Sequence, residues 1–269
     1  MKIGIHLGCA MGDVSIDEQI RLMKENGFTT TFGMASGDHI DEWIEKAQAA
    51  GIEVENMHAP FRKINAMWHE DAGEEALKEC EAEIYGAVDI CARHGIPTLV
   101  MHVTYGNPPA VVSDYGFSNY DRFMEYARSK NVTIAYENTK GIGKLITAIE
   151  RYEDSGFCWD VGHEFSMTTG LTYMPFLKDK MVAVHIHDNT AIVGKDLHMI
   201  PFDGGGVNFD HVAKMLAVAG YDKSIMLESI QKTSGAYDDI TAEEFYKRAG
   251  DAAKKLADMV EKYKAELNA

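Results

Sequence analysis

Short apolar, β-branched runs alternate with longer amphipathic stretches from one end of the 269-residue chain to the other. The runs Lys2–Gly8, Thr29–Gly33, Glu53–Met57, Thr98–Val103, Val132–Glu137, Phe157–Asp160, Met181–His187 and Ser224–Glu228 read as strands. They are short and largely continuous in hydrophobicity, as strands buried on both faces of a parallel sheet must be. Between them, apolar residues at three- and four-residue intervals predict helices over Ile16–Glu25, His39–Ala50, Glu74–Arg93, Asp121–Lys130, Gly143–Arg151, Phe209–Val218 and Ala242–Leu267, with a weaker one near Met174–Lys180. Several helices end in glycine turns (Asn26-Gly27, Ala50-Gly51, His94-Gly95), which is the chemistry of a helix C-cap. Eight strand-and-helix units give the count of an α/β (β/α)₈ barrel; a doubly wound open sheet is the alternative. No linker, low-complexity stretch or repeat interrupts the pattern, so residues 1–269 read as one domain.

Composition narrows the setting. The chain is 46% apolar, enough for a large core, yet no apolar run reaches the roughly 18 residues that a membrane span needs. Its 26 basic against 42 acidic residues give a net charge of −16. That surface opposes nucleic acid, whose binding draws most of its affinity from basic contacts to phosphate. The four cysteines show no CxxC spacing, and Cys80 and Cys91 lie about three turns apart on one helix, too far to bridge. Met1-Lys2-Ile3-Gly4-Ile5 reads as a first strand and not as a signal peptide, so a cytoplasmic location is expected.

The strand ends carry the chemistry. His58, His102, Glu137, Asp160, His185 and Glu228 close six of the runs, His163 follows Asp160, and Asp196 and His198 fall in the loop before the last strand. Imidazole nitrogens and carboxylate oxygens are the ligands of a borderline divalent ion, and a barrel places its active site at these strand ends. Ionised glutamates at apolar strand ends also need a counter-charge. Asp160 and His163 can meet at one centre if the chain turns at Gly162, and His185 and His187 project to the same side, so either suits a ligand. The glycine run Gly204-Gly205-Gly206 reads as a tight turn and not as a phosphate cradle. Arg62, Lys63, Lys140 and Lys195 lie just past strand ends, where a lysine or arginine can neutralise a substrate phosphate; Trp68, Tyr105, Trp159 and Phe202 are candidate pocket walls.

In combination, Met57-His58-Ala59-Pro60-Phe61, Tyr136-Glu137-Asn138-Thr139, Trp159-Asp160-Val161-Gly162-His163, Val184-His185-Ile186-His187-Asp188-Asn189, Asp196-Leu197-His198 and Met226-Leu227-Glu228-Ser229 give the chain a resemblance to the xylose-isomerase-like TIM barrels. That group holds sugar and sugar-phosphate isomerases and epimerases together with the endonuclease IV type of abasic-site nuclease. The resemblance implies one divalent ion on Glu137, Asp160, His185 and Glu228, with zinc or manganese expected ahead of cobalt or magnesium. It implies Glu137 and Glu228 as acid and base around an enediolate, and a small sugar or sugar phosphate as substrate. His58, His102, His163, Asp196 and His198 match the further ligands of the nuclease branch, which leaves a zinc-dependent abasic-site nuclease as the alternative, beside a sugar dehydratase of the same group. Keto-sugar 3-epimerases carry an arginine six residues after the position of His185, where this chain has Ala191. Nucleic acid and membrane are not expected as partners, and homo-oligomerisation is left open.

Overall fold

The computed structural model describes residues 1–269 except 11, 13, 107, 169, 191, 193 and 194. Eight strands, β1 (Ile3–His6), β2 (Thr30–Met34), β3 (Glu53–His58), β4 (Thr98–His102), β5 (Thr133–Glu137), β6 (Gly156–Asp160), β7 (Met181–His185) and β8 (Ile225–Leu227), form one parallel sheet in the order β7-β6-β5-β4-β3-β2-β1-β8. Closure between β7 and β8 rests on one residue beyond β7. Ile186 donates its N–H to the carbonyl of Met226 (2.9 Å) and accepts from the N–H of Glu228 (2.9 Å), making an isolated parallel bridge to Leu227. The single-domain (β/α)₈ barrel is thereby complete, with α1 (Ile16–Glu25), α2 (Ile40–Ala49), α3 (Glu74–His94), α4 (Asp114–Ser129), α5 (Ile142–Arg151), α6 (Val161–Met167), α7 (Phe209–Val218) and α8 (Ala242–Leu267) around it.

Strand alternation decides what faces inward. Leu99, Met101, Ile134, Tyr136, Phe157, Trp159 and Val184 belong to the core between sheet and helices. Their neighbours Val100, Ala135, Cys158 and Ala183 form a separate small cluster inside the barrel. One further step along each strand, on the same inner side, stand His102, Glu137, Asp160 and His185. Small side chains in the layer below thus leave room for large polar ones at the mouth. The register aligns them, pairing His102 with Glu137 and Asp160 with His185.

Two helices differ from the sequence reading. The helix after β6 is Val161–Met167, and the stretch near Met174–Lys180 contributes only a 3₁₀ turn at Lys178–Lys180. Asp160 is itself the N-cap of α6, accepting the N–H of His163 at 2.6 Å, so strand passes into helix with no intervening loop. Helix α4 begins at Asp114, seven residues before the predicted start, under a Ser113 cap. Gly116 weakens the helical signal in its first turn, yet packing demands it: a Cβ there would lie 1.9 Å from the Trp68 ring.

Candidate metal centre

Glu137, Asp160, His185 and Glu228, the four residues that the resemblance assigns to one ion, each offer one donor atom within 4.8 Å of all the others. Every other predicted donor converges on this group. Glu137 accepts from His102 Nε2 (2.6 Å) and His185 Nδ1 (2.5 Å), and His58 Nε2 lies 3.3 Å from it. Asp196 lies between His163 Nε2 (2.9 Å) and His198 Nε2 (3.1 Å). The loop after β5 is tied to β6 by Asn138, whose amide donates to the Asp160 carbonyl and accepts the Asp160 N–H.

Histidine tautomers give the clearest test of fit to a cation. Nδ1 of His58, His163, His187 and His198 meets the backbone carbonyl of Ala59, Asn138, Asp188 and Glu228, respectively, at 2.7, 3.1, 3.3 and 2.9 Å. A carbonyl only accepts, so in each ring Nδ1 carries a proton, and Nε2 presents a lone pair unless the ring takes up a second one. Those four Nε2 atoms face carboxylate oxygens of Glu137, Asp196, Asp160 and Asp196. Lone pair against lone pair is repulsive unless a proton or a metal ion lies between. Backbone-anchored imidazoles of this kind are how metal-binding histidines are oriented. Asp160 Oδ2, His185 Nε2, His187 Nε2 and Glu228 Oε2 are moreover buried without a hydrogen-bond partner. Orphaned donors, tautomers and convergence all fit a divalent ion.

The protonation pattern follows. Burial pushes the Glu137 carboxyl upward, but His185 and the histidine hydrogen bonds outweigh it and hold the group well below the usual carboxylate range. Asp160 is likewise depressed, to about 2, by His163 and His187 against its burial. Glu228 goes the other way: burial, then the charges of Glu137 and Asp160, raise it well above its ordinary value. His163 is raised by Asp160 and Asp196 in spite of burial, whereas burial lowers His102 and His185.

Beside the donors opens a cavity of about 320 Å³, lined by Phe61, His102, Thr104, Tyr105, Gly106, Pro109, Thr139, Lys140, His163, Met167 and Asp196. Of the four basic residues past strand ends, only Lys140 lines it, and of the four aromatic candidates only Tyr105 does. Trp68 belongs to the core, stacked on Tyr120 with its N–H on the Val103 carbonyl. Trp159 points outward to Glu164, and Phe202 packs on Phe209. The glycine run follows a turn at Pro201-Phe202, and the anion beside it is internal: Asp188 accepts the N–H groups of Asn189 and Val207, and a Cβ on Gly205 would lie 2.1 Å from the Asp188 carboxylate.

His6 escaped the sequence reading. It ends β1 as the other donors end their strands, and its half-buried ring packs edge-on to Phe32, with burial and then His198, His185 and His58 lowering it to about 3. Strand-end position alone was the available signal. His187, an alternative to His185 in sequence, lies 3.2 Å from Asp160 and stacks on His198. Ala191 falls outside the described residues.

Solved structures share this architecture at low sequence identity. An L-ribulose 3-epimerase superposes with a TM-score of 0.77 at 14% identity, over 100% of this chain and 97% of its own. D-psicose 3-epimerase with D-tagatose from Clostridium cellulolyticum H10 gives 0.73 at 12%, over 97% and 99%. The IOLI protein with a binding zinc atom gives 0.73 at 16%, over 98% and 99%. No curated protein matches the chain in sequence. The sequence does match the family model described as xylose isomerase-like TIM barrel over residues 18–263, and the chain belongs to that family.

Proposed function

We propose that this protein is a divalent-metal-dependent isomerase or epimerase of a small sugar or sugar phosphate, moving a proton between carbons beside a carbonyl. The observation that carries this reading is the pairing of four convergent donors with an adjoining cavity of about 320 Å³. Such a volume lies at the small end of ligand pockets, roughly 300–1,000 Å³, and suits a monosaccharide. When bound by Glu137, Asp160, His185 and Glu228, a divalent ion supplies Lewis-acid polarisation of the carbonyl.

The chain's own groups then move the proton. Glu228 has an oxygen without a hydrogen-bond partner and, ionised once a cation offsets its burial and the neighbouring charges, would take the proton from carbon. Glu137 has both oxygens held by histidines and serves the other face only when one of them lets go. His163, fixed by Asn138 and Asp196, orients the substrate at the cavity wall. Ala191 stands where keto-sugar 3-epimerases carry an arginine, which weighs against that one reaction despite the shared architecture.

A second reading, hydrolysis of a phosphodiester with more than one ion, is favoured by the additional donor groups His58–His102–Glu137 and Asp160–His163–His187. The net charge of −16 weighs against DNA as its substrate. One experiment separates the two. Ketoses, aldoses and their phosphates are incubated with enzyme and Mn²⁺ or Zn²⁺ in heavy water and followed by proton NMR. A carbon-bound proton in one panel member should exchange for deuterium, and chelation should stop it. Cleavage of abasic DNA with no exchange in any sugar would establish the hydrolase instead.

A further inference from the structure

The donor cluster accounts for one end of a sugar, and among the described residues lining the cavity one lysine lies outside that cluster. Lys140 lines the cavity together with Thr139 and with His102, His163 and Asp196 of the cluster. It is half-buried, and among the described residues no carboxylate forms an ion pair with it. Among the described residues Lys24 and Lys254 also form no ion pair, so what sets Lys140 apart is its place in the cavity wall. Lys63, the neighbouring candidate, lies 3.1 Å from Glu79 and 2.8 Å from Glu83, and Lys46 is 2.9 Å from both Asp17 and Glu42. Helix α5, which begins just after Lys140, also carries no acid in its first turn.

The wall around Lys140 is fixed in advance. Lys144, in the first turn of α5, donates to the carbonyl of Pro109 (3.0 Å) and to that of Ala110, tying the loop after β4 to the loop after β5. Lys140 follows Glu137 by three residues, so the chain allows at most about 10 Å between their Cα atoms. That ceiling still admits a monosaccharide with a substituent at its far end. The ammonium offers three donors, the Thr139 hydroxyl another, and a phosphate monoester brings close to two negative charges at neutral pH.

We propose that Lys140 is the specificity-determining residue for the anionic tail of the substrate, binding the phosphate of a phosphorylated monosaccharide at the end remote from the reacting carbonyl. The inference takes its setting from the proposed isomerase or epimerase reaction.

The test compares wild type, Lys140→Gln and Lys140→Arg on matched free sugars and sugar monophosphates by deuterium exchange. Lys140→Gln should lower kcat/KM for the active phosphate on the order of 10- to 100-fold, the range of a lost hydrogen bond to a charged group. Lys140→Arg should restore part of it, and the loss on the unphosphorylated partner should be much smaller than that on the phosphate. Equal losses on both partners, or none on the phosphate, would overturn the proposal, as would Lys140-dependent turnover confined to sugar carboxylates. A second measurement is independent of turnover: phosphorus NMR titration of inorganic phosphate into chelator-treated protein should show binding that Lys140→Gln removes. If no sugar exchanges, the proposed reaction fails, and this titration still decides whether Lys140 holds phosphate.

Discussion

Glu137 and Glu228 occupy matching places, each at the inner C-terminal end of a buried strand, and their surroundings drive them in opposite directions. Around Glu137 stand three imidazoles, His58, His102 and His185, and its carboxyl is held far down in spite of burial. Around Glu228 burial dominates, the nearby charges of Glu137 and Asp160 add to it, and its carboxyl is held up. Position in a barrel therefore does not assign a role; the neighbours contributed by other strands do. Two carboxyls whose environments separate their proton affinities are the arrangement that acid–base catalysis needs.

The largest effect that tests this contrast is expected at Glu137. Glu137→Gln removes the anion around which three histidines are organised, and turnover should drop about 1,000-fold or more, within the range for a lost acid–base group. Circular dichroism should stay that of a folded barrel, since the apolar core does not involve this residue. Wild-type turnover in this variant would mean that the histidines gather around Glu137 for stability alone. Glu228→Gln should cost on the order of 100- to 1,000-fold while retaining more divalent ion after dialysis than Glu137→Gln does. Elemental analysis of the two dialysed proteins checks this, and the reverse order would invert the ranking. Asp196→Asn loosens His163 and His198 together without touching the four-donor group, and a loss of about 10- to 100-fold in metal affinity or activity is expected.

The smallest effect comes from a third glutamate at the other end of the barrel. Half-buried Glu55 accepts from Ser224 (2.6 Å) and has no histidine; burial raises its carboxyl above the ordinary value of 4.5, against the Ser224 hydrogen bond. A carboxyl raised on folding binds its proton more tightly in the folded state. Its contribution is thus fully present below about 4.5, the unfolded value, and fades as pH climbs through the folded one. Relative to wild type, Glu55→Gln should gain thermal stability as pH is raised from 4 to 7, by a few degrees or less. A melting-temperature difference that is flat or falls across that interval would show that burial is not what governs this carboxyl.

Much of this was legible in the chain because the same periodicity that builds a buried strand also ends it. Alternation places Val100 and His102, or Ala135 and Glu137, on one inner side, so a polar residue terminating an apolar run already points at the barrel mouth. Helix α6 was less legible. Asp160 read as a metal ligand is also a helix cap, and one residue in two roles removes the loop that would have separated strand from helix. The start of α4 was hidden by Gly116, whose presence answers to the Trp68 ring and not to helix propensity. Nor could spacing single out Lys140 from Arg62, Lys63 and Lys195, since all four follow strand ends and only the folded loops bring one of them into the cavity.

The β7–β8 closure has a mechanical side. Two hydrogen bonds through Ile186 complete the cylinder, and the candidate centre straddles that line, with His185 and His187 on one bank and Glu228 on the other. Parting the staves there would pull the donors away from each other. Any cation gripped from both banks therefore acts as a rivet, and the slowest-exchanging amide in a loaded protein, relative to an unloaded one, belongs at Ile186.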